Sequence, residues 1–247
     1  MLLRLLIVAL LLAGPVAGRV FGRVQRRGSS IALRQRLFVN PLISEPGTLE
    51  VEWNNTLGPN SYYQPQTWKY SAGRTEYSLG FDAIAHDSGV THFSDHLTAT
   101  ATTVLYDGPH FDVALAPQAT FLLRNDSGVR LGATLITRYD FGKNSVSGSF
   151  GWTGATVASA SNPAGTADAI AGFGRRVTRH ITAYASMQWE RSSSVPSYLS
   201  VFEGAEYEIS SRLAANFYGQ HYTLTHGIPD HHYGVGLTYN FGRIRWR

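Results

Sequence analysis

The sequence predicts an all-β chain, an antiparallel up-and-down transmembrane β-barrel of about twelve strands with tight turns at one end and longer loops at the other. Three observations predict it. Segments of about ten residues alternate apolar and polar side chains, the length and period of a tilted membrane-crossing strand. Tight turns alternate with longer polar loops. The apolar face of the strands is bracketed by aromatic residues, as two membrane interfaces require.

The chain begins with a basic start (Arg4), an apolar run Leu5–Ala13 and a small-residue exit at Val16-Ala17-Gly18. That layout reads as an export signal over residues 1–18, because the run is too short to span a bilayer. Residues 19–46 carry Arg19, Arg23, Arg26, Arg27, Arg34 and Arg36 and read as a basic periplasmic lead-in. The formal net charge of +4 therefore describes a segment. No basic face with stacking aromatics follows it, which argues against nucleic acid as a partner. Charged residues make up 15% of the chain, below the usual quarter. Cysteine is absent, which removes disulfides, thiolate ligands and a thiol nucleophile.

The barrel is expected over residues 47–241 and a tail over 242–247. Its strands are expected near 48–57, 65–72, 74–83, 95–106, 110–123, 129–141, 143–154, 166–176, 179–190, 198–209, 211–222 and 232–241. Leu49, Val51 and Trp53 oppose Glu50, Glu52 and Asn54 in the first strand. Trp68 and Tyr70 point outward in the second, with Lys69 inward. Phe111, Val113 and Leu115 oppose Asp112, Ala114 and Ala116. Val129–Phe141 alternates against Arg130, Arg138 and Asp140. In the next strand Val146, Phe150 and Trp152 oppose Ser145, Ser147 and Ser149. Ile181–Trp189 repeats the pattern, and Tyr233, Val235, Leu237, Tyr239 and Phe241 oppose Gly234, Gly236, Thr238 and Asn240. A strand sends these sets to opposite faces. A soluble sandwich alternates too; it would bury Val235, Leu237 and Phe150 between two sheets.

Tight turns fall at Ala72-Gly73, Asp107–Pro109, Gly142–Asn144, Thr178-Arg179 and Ser210-Ser211. Longer loops fall around Gly58–Tyr63, Ile84–Ser94, Arg124–Gly128, Ala155–Gly165, Arg191–Ser197 and Thr223–His231. Glu203 breaks the parity by pointing outward, which predicts a bulge near Gly204 or a place near the rim. After Phe241 the parity flips, and Gly242 is the expected break.

The inward set is the candidate site. It comprises Glu50, Glu52, Lys69, Glu76, Asp82, Asp112, Arg130, Arg138, Asp140, Glu190, Glu206, Glu208 and Arg212. Mixed charges in a narrow lumen either tune passage of small solutes or pair and plug it. His86, His92 and His96 gather near one long loop, and His221, His226, His231 and His232 with Asp230 near the last. No fixed ligand spacing accompanies them, so no metal and no cofactor is expected. The run Thr91-His92-Phe93-Ser94-Asp95-His96 is the nearest approach to a Ser–His pair, and Asp87, Asp95 and Asp230 stand beside histidines. Neither has the context catalysis needs, and no enzyme is expected. The glycines at Gly148–Gly151 and Gly172–Gly174 precede no helix and are not nucleotide loops. Two alternatives to a pore stay open: a structural barrel binding partners through Tyr62, Tyr63, Phe93 and Tyr198, and a barrel hydrolase.

The segment Tyr233-Gly-Val-Gly-Leu-Thr-Tyr-Asn-Phe241 resembles the C-terminal strand signal of Gram-negative outer-membrane barrels, here followed by Gly242–Arg247. The resemblance implies location in the bacterial outer membrane, contact with its lipid and recognition by its assembly machinery. The alternating chain also resembles, more distantly, the transporter-like barrels of the phenol-degradation meta-pathway outer-membrane family. That implies passage of small solutes.

Overall fold

The computed structural model describes residues 43–58, 61–87, 89–94, 96–123, 128–158, 164–193, 197–223 and 230–243. The export signal and nearly all of the basic lead-in lie outside them. The described chain is a closed antiparallel barrel. Its strands are β1 (Thr48–Leu57), β2 (Ser61–Ala72), β3 (Thr75–Asp87), the short β4 (Val90–His92), β5 (His96–Asp107), β6 (Phe111–Leu122) and β7 (Val129–Phe141). They continue as β8 (Asn144–Ala155), β9 (Gly165–Arg176), β10 (Ile181–Ser192), β11 (Tyr198–Ser210), β12 (Leu213–Thr223) and β13 (Asp230–Arg243).

Each wall strand pairs with its chain neighbours, β3 pairing directly with β5, and β1 closes the ring against β13. The wall therefore has 12 strands, while β4 folds back on the end of β3 as a hairpin outside the ring. Closure satisfies every strand edge, the condition for crossing a bilayer with sheet.

The period of two in the sequence becomes two faces. Val235, Leu237, Leu135, Phe150 and Trp152 are exposed on the outer face instead of packed between sheets. Tyr106, Phe111, Tyr139 and Phe141 gather at the tight-turn end, with the Tyr139 and Phe141 rings stacked at 5.9 Å. Trp152 and Trp189 stand toward the long-loop end. Such belts suit interfaces where one end of a ring is apolar and the other wet.

Several boundaries differ from expectation. β2 starts at Ser61, so Tyr62 and Tyr63 belong to the wall and the β1–β2 connection is short. Pro65 has no N–H to donate, and the register shifts between Tyr63 and Pro65 to pass it. β3 runs on to Asp87 and, with β4, occupies most of what reads as a loop. Gly89, at φ 81°, supplies the left-handed turn of that hairpin. Pro117 sits inside β6, where the ladder to β5 is interrupted between the pairs Thr100–Gln118 and Thr103–Leu115. No bulge occurs at Gly204; β11 keeps one register against β10 from Tyr198 to Tyr207. At the last strand the register with β1 shifts beside Phe241, and Gly242 takes φ 83°.

Candidate functional site

The interior is built by strand parity, which sets every second side chain into the barrel. On β1, Glu50 and Glu52 are two residues apart and share that face; they are 0% and 2% exposed. Lys69 stands directly opposite Glu50 on β2. Its ammonium donates to Glu52 Oε1 and lies 3.8 Å from Glu50 Oε1. Glu76 on β3 accepts from the Ser71 hydroxyl at 3.1 Å and from the backbone N–H of Ser44 at 2.9 Å. Ser44 is itself buried, so the residues just before β1 turn into the tight-turn mouth and cap this carboxylate. Three carboxylates here face one ammonium, an arrangement that holds only because the burial is shared with several hydrogen-bond donors.

Arginine enters from β7. Arg130 donates through Nη2 to the hydroxyls of Thr153 at 3.1 Å and Thr166 at 2.8 Å, fastening β7 to β8 and β9. Arg138 donates through Nε to Asp140 at 2.7 Å. Asp112 lies opposite Arg138 on one side and opposite Asp107 on the other. Farther round the wall Asp168 faces Glu190 directly across β9 and β10. Glu206 is buried between Thr182 and Asn216, Glu208 lies opposite Ala214, and Asp82 lies opposite Pro65. Arg212 falls in the exposed β11–β12 turn, because β12 begins only at Leu213. Asp107 and Asp168 join the inner charges although sequence reading did not single them out; their even-numbered partners, read across the register, identify them.

Aromatic rings fill the other side of the interior. Tyr184, Phe202 and Tyr218 form a buried cluster. The Tyr218 hydroxyl lies 2.5 Å from Thr56 Oγ1, and the Tyr184 hydroxyl donates to the Phe217 carbonyl at 3.3 Å. Asn216 Nδ2 donates to Asn54 Oδ1 at 3.4 Å across β13. These groups narrow the barrel from the β10–β13 side, opposite the β7 arginines.

The loop candidates behave differently. His86 Nδ1 is 2.7 Å from Thr91 Oγ1, and His92 Nδ1 is 2.8 Å from the Phe93 carbonyl. The Ser94 hydroxyl donates to the His96 carbonyl at 2.5 Å, a turn contact and not a bond to an imidazole. The side chains of Asp87, Asp95, Tyr198, His226 and Asp230 lie outside the described residues. Among the described residues no group of three or more histidine or acidic side chains could hold a metal ion. His221 and His231 meet instead on the outer wall, Nδ1 to Nδ1 at 2.8 Å, with Glu203 at 3.3 Å.

Comparison with known proteins follows this geometry. No family model matches the chain, and no curated protein is similar to it in sequence. Solved structures do match in fold. The NanC porin aligns with TM-score 0.63 at 8% identity, over 77% of this chain and 98% of its own. The KdgM porin in complex with disordered oligogalacturonate aligns with TM-score 0.59 at 9% identity, over 78% of this chain and 99% of its own. At such identities the likeness concerns the fold: this chain is an outer-membrane-type transmembrane β-barrel of 12 strands.

Proposed function

We propose that the chain is a narrow, charge-lined pore that passes small solutes across the outer membrane of a Gram-negative bacterium. The observation that carries this reading is the division of the wall, oily outside and charged inside, in a closed ring whose wall strands are paired on both edges. The porin fold of NanC and KdgM and the transporter-like resemblance of the sequence support the same reading. It makes the barrel a channel and not an enzyme. Arg130, Arg138 and Asp140 then line one side of the path, while the buried Glu50, Glu52 and Lys69 pack against one another beside it, next to Glu76. Asp168 with Glu190 faces the path farther round the wall, on β9 and β10. Residues 1–18 serve export, and Tyr233–Phe241 is the segment the assembly machinery reads.

The sign of the wall narrows the solute. Among the described residues, inner carboxylates outnumber the inner cations Lys69, Arg130 and Arg138. A low-dielectric wall focuses such a field. The oligogalacturonate bound by the KdgM porin is a polyanion; this interior favours cationic or neutral solutes. Refolded protein in planar bilayers under a KCl gradient tests the proposal. The expected result is discrete conductance with a reversal potential on the cation side. Folded protein that never conducts would overturn the pore.

A further inference from the structure

The interior of the barrel is strongly acidic. Lys69, Arg130 and Arg138 share it with a much larger set of carboxylates. Glu50, Glu52 and Glu76 lie around the Lys69 ammonium, Asp107 stands opposite Asp112, and Asp168 stands opposite Glu190. Like charges gathered inside a narrow wall of low dielectric repel one another and draw in cations.

The chain ahead of the barrel carries the opposite sign. Residues 19–42 hold six arginines and no aspartate or glutamate. The described chain begins just after them, and it begins inside the mouth. Ser44 is 0% exposed, and its N–H donates to the inner carboxylate of Glu76 at 2.9 Å. Its neighbour Glu45 turns the other way, to Arg243 at 3.6 Å on the exposed rim. The backbone therefore reaches β1 from the lumen side of the wall. Reach is sufficient. A 12-residue strand such as β6, tilted by about 40°, stands about 30 Å tall. Extended chain spans about 3.3 Å per residue, so Arg36 reaches about 26 Å from Ser44, well past mid-lumen.

We propose that residues 19–42 occupy the lumen as a tethered, reversible plug, their arginines paired with the inner carboxylates. The proposal rests on the pore reading: a path that favours cations takes as its first cation the one on its own chain. Arginine suits the role because its planar fork meets a carboxylate through two parallel hydrogen bonds. Attachment at Ser44 keeps the segment at an effective concentration in the millimolar range, above that of a dilute solute. The device makes passage depend on displacing the segment.

The chain has no cysteine, so pairs can be introduced without background. Full-length protein carries Gln35→Cys, between Arg34 and Arg36, together with either Ser149→Cys or Ser211→Cys. Ser149 faces the lumen halfway along β8, opposite Ile136 and Ile170. Ser211 sits in the exposed β11–β12 turn at the rim. Each protein is oxidised in outer membranes, denatured and separated without reductant, where an internally looped chain runs faster. The expected yield with Ser149→Cys is at least about threefold that with Ser211→Cys. Changing the six arginines to glutamine lowers the Ser149→Cys yield about threefold and raises the open fraction in planar bilayers by a similar factor, with heat-modifiable migration unchanged. Equal or greater closure at Ser211→Cys puts the segment outside the barrel and overturns the plug, whatever the conductance. An open fraction that the glutamines do not move overturns it as well. Closure at Ser149→Cys in a protein silent with and without its arginines upholds the placement and removes the pore.

Discussion

The ring of Tyr184 lies across Gly204, the residue directly opposite it on the neighbouring strand. A methyl group added at Gly204 would stand 2.5 Å from Tyr184 Cε2 and 2.3 Å from the Phe217 carbonyl oxygen. Tyr218 repeats the arrangement over Gly234. In each pair a bare backbone makes room for a ring that would otherwise project into the barrel. Gly204→Ala is therefore expected to destabilise the folded barrel by about 1–3 kcal/mol, the usual range for overpacking. Denaturant unfolding in lipid vesicles, followed by tryptophan fluorescence, measures it.

Lys69 holds Glu50 and Glu52 in the interior. Lys69→Met removes the ammonium and leaves the carboxylates buried, which costs about 3–5 kcal/mol. Adding Glu52→Gln restores part of the loss, because a neutral amide needs no counter-charge. The double-mutant cycle, read by the same unfolding assay, gives a coupling of the sign expected for a stabilising pair.

Asp168 and Glu190 place two carboxylates face to face. Asp168→Asn combined with Glu190→Gln removes that negative charge from the path. A unit charge about 6 Å from a passing ion in water is worth about 0.7 kcal/mol, close to threefold in partition. The potassium-to-chloride permeability ratio should fall by roughly threefold or more on that scale. Reversal potentials before and after the substitutions measure it, and an unchanged ratio would remove these residues from the path.

Folded barrels resist detergent until boiled. The chain should fractionate with the outer membrane and migrate differently before and after heating. Recovery in the periplasm with no such shift would contradict the membrane assignment.

Much of the wall was legible in the sequence because parity is local. Tyr233–Phe241 and Val129–Phe141 each declare their two faces without knowledge of any other strand. The parity flip after Phe241 likewise marks the break that Gly242 makes. What was not legible depends on partners distant in sequence. Tyr184 reads simply as a member of the polar set, and only the register against β11 shows that it rests on Gly204. The polar stretch Gly58–Tyr63 suggested a longer loop before β2; its pairing with β3, with a register shift at Pro65, is not visible locally. Glu203 suggested a bulge near Gly204 or a place near the rim; β11 keeps its register there, and the carboxylate meets His221 on the next strand. Asp107 and Asp168 gained significance only when the strands opposite them were known.

The ring is sealed by its first and last strands, with pairs running from Thr48–Arg243 to Leu57–Tyr233. A growing polypeptide thus cannot complete its wall until the final segment has been delivered. Until then β1 and β12 are both raw edges, open to any extended chain nearby. Closing them joins residues from opposite ends of the chain, the slowest kind of contact to form. Loss of the last strand would not shorten the cylinder; it would leave it split from top to bottom.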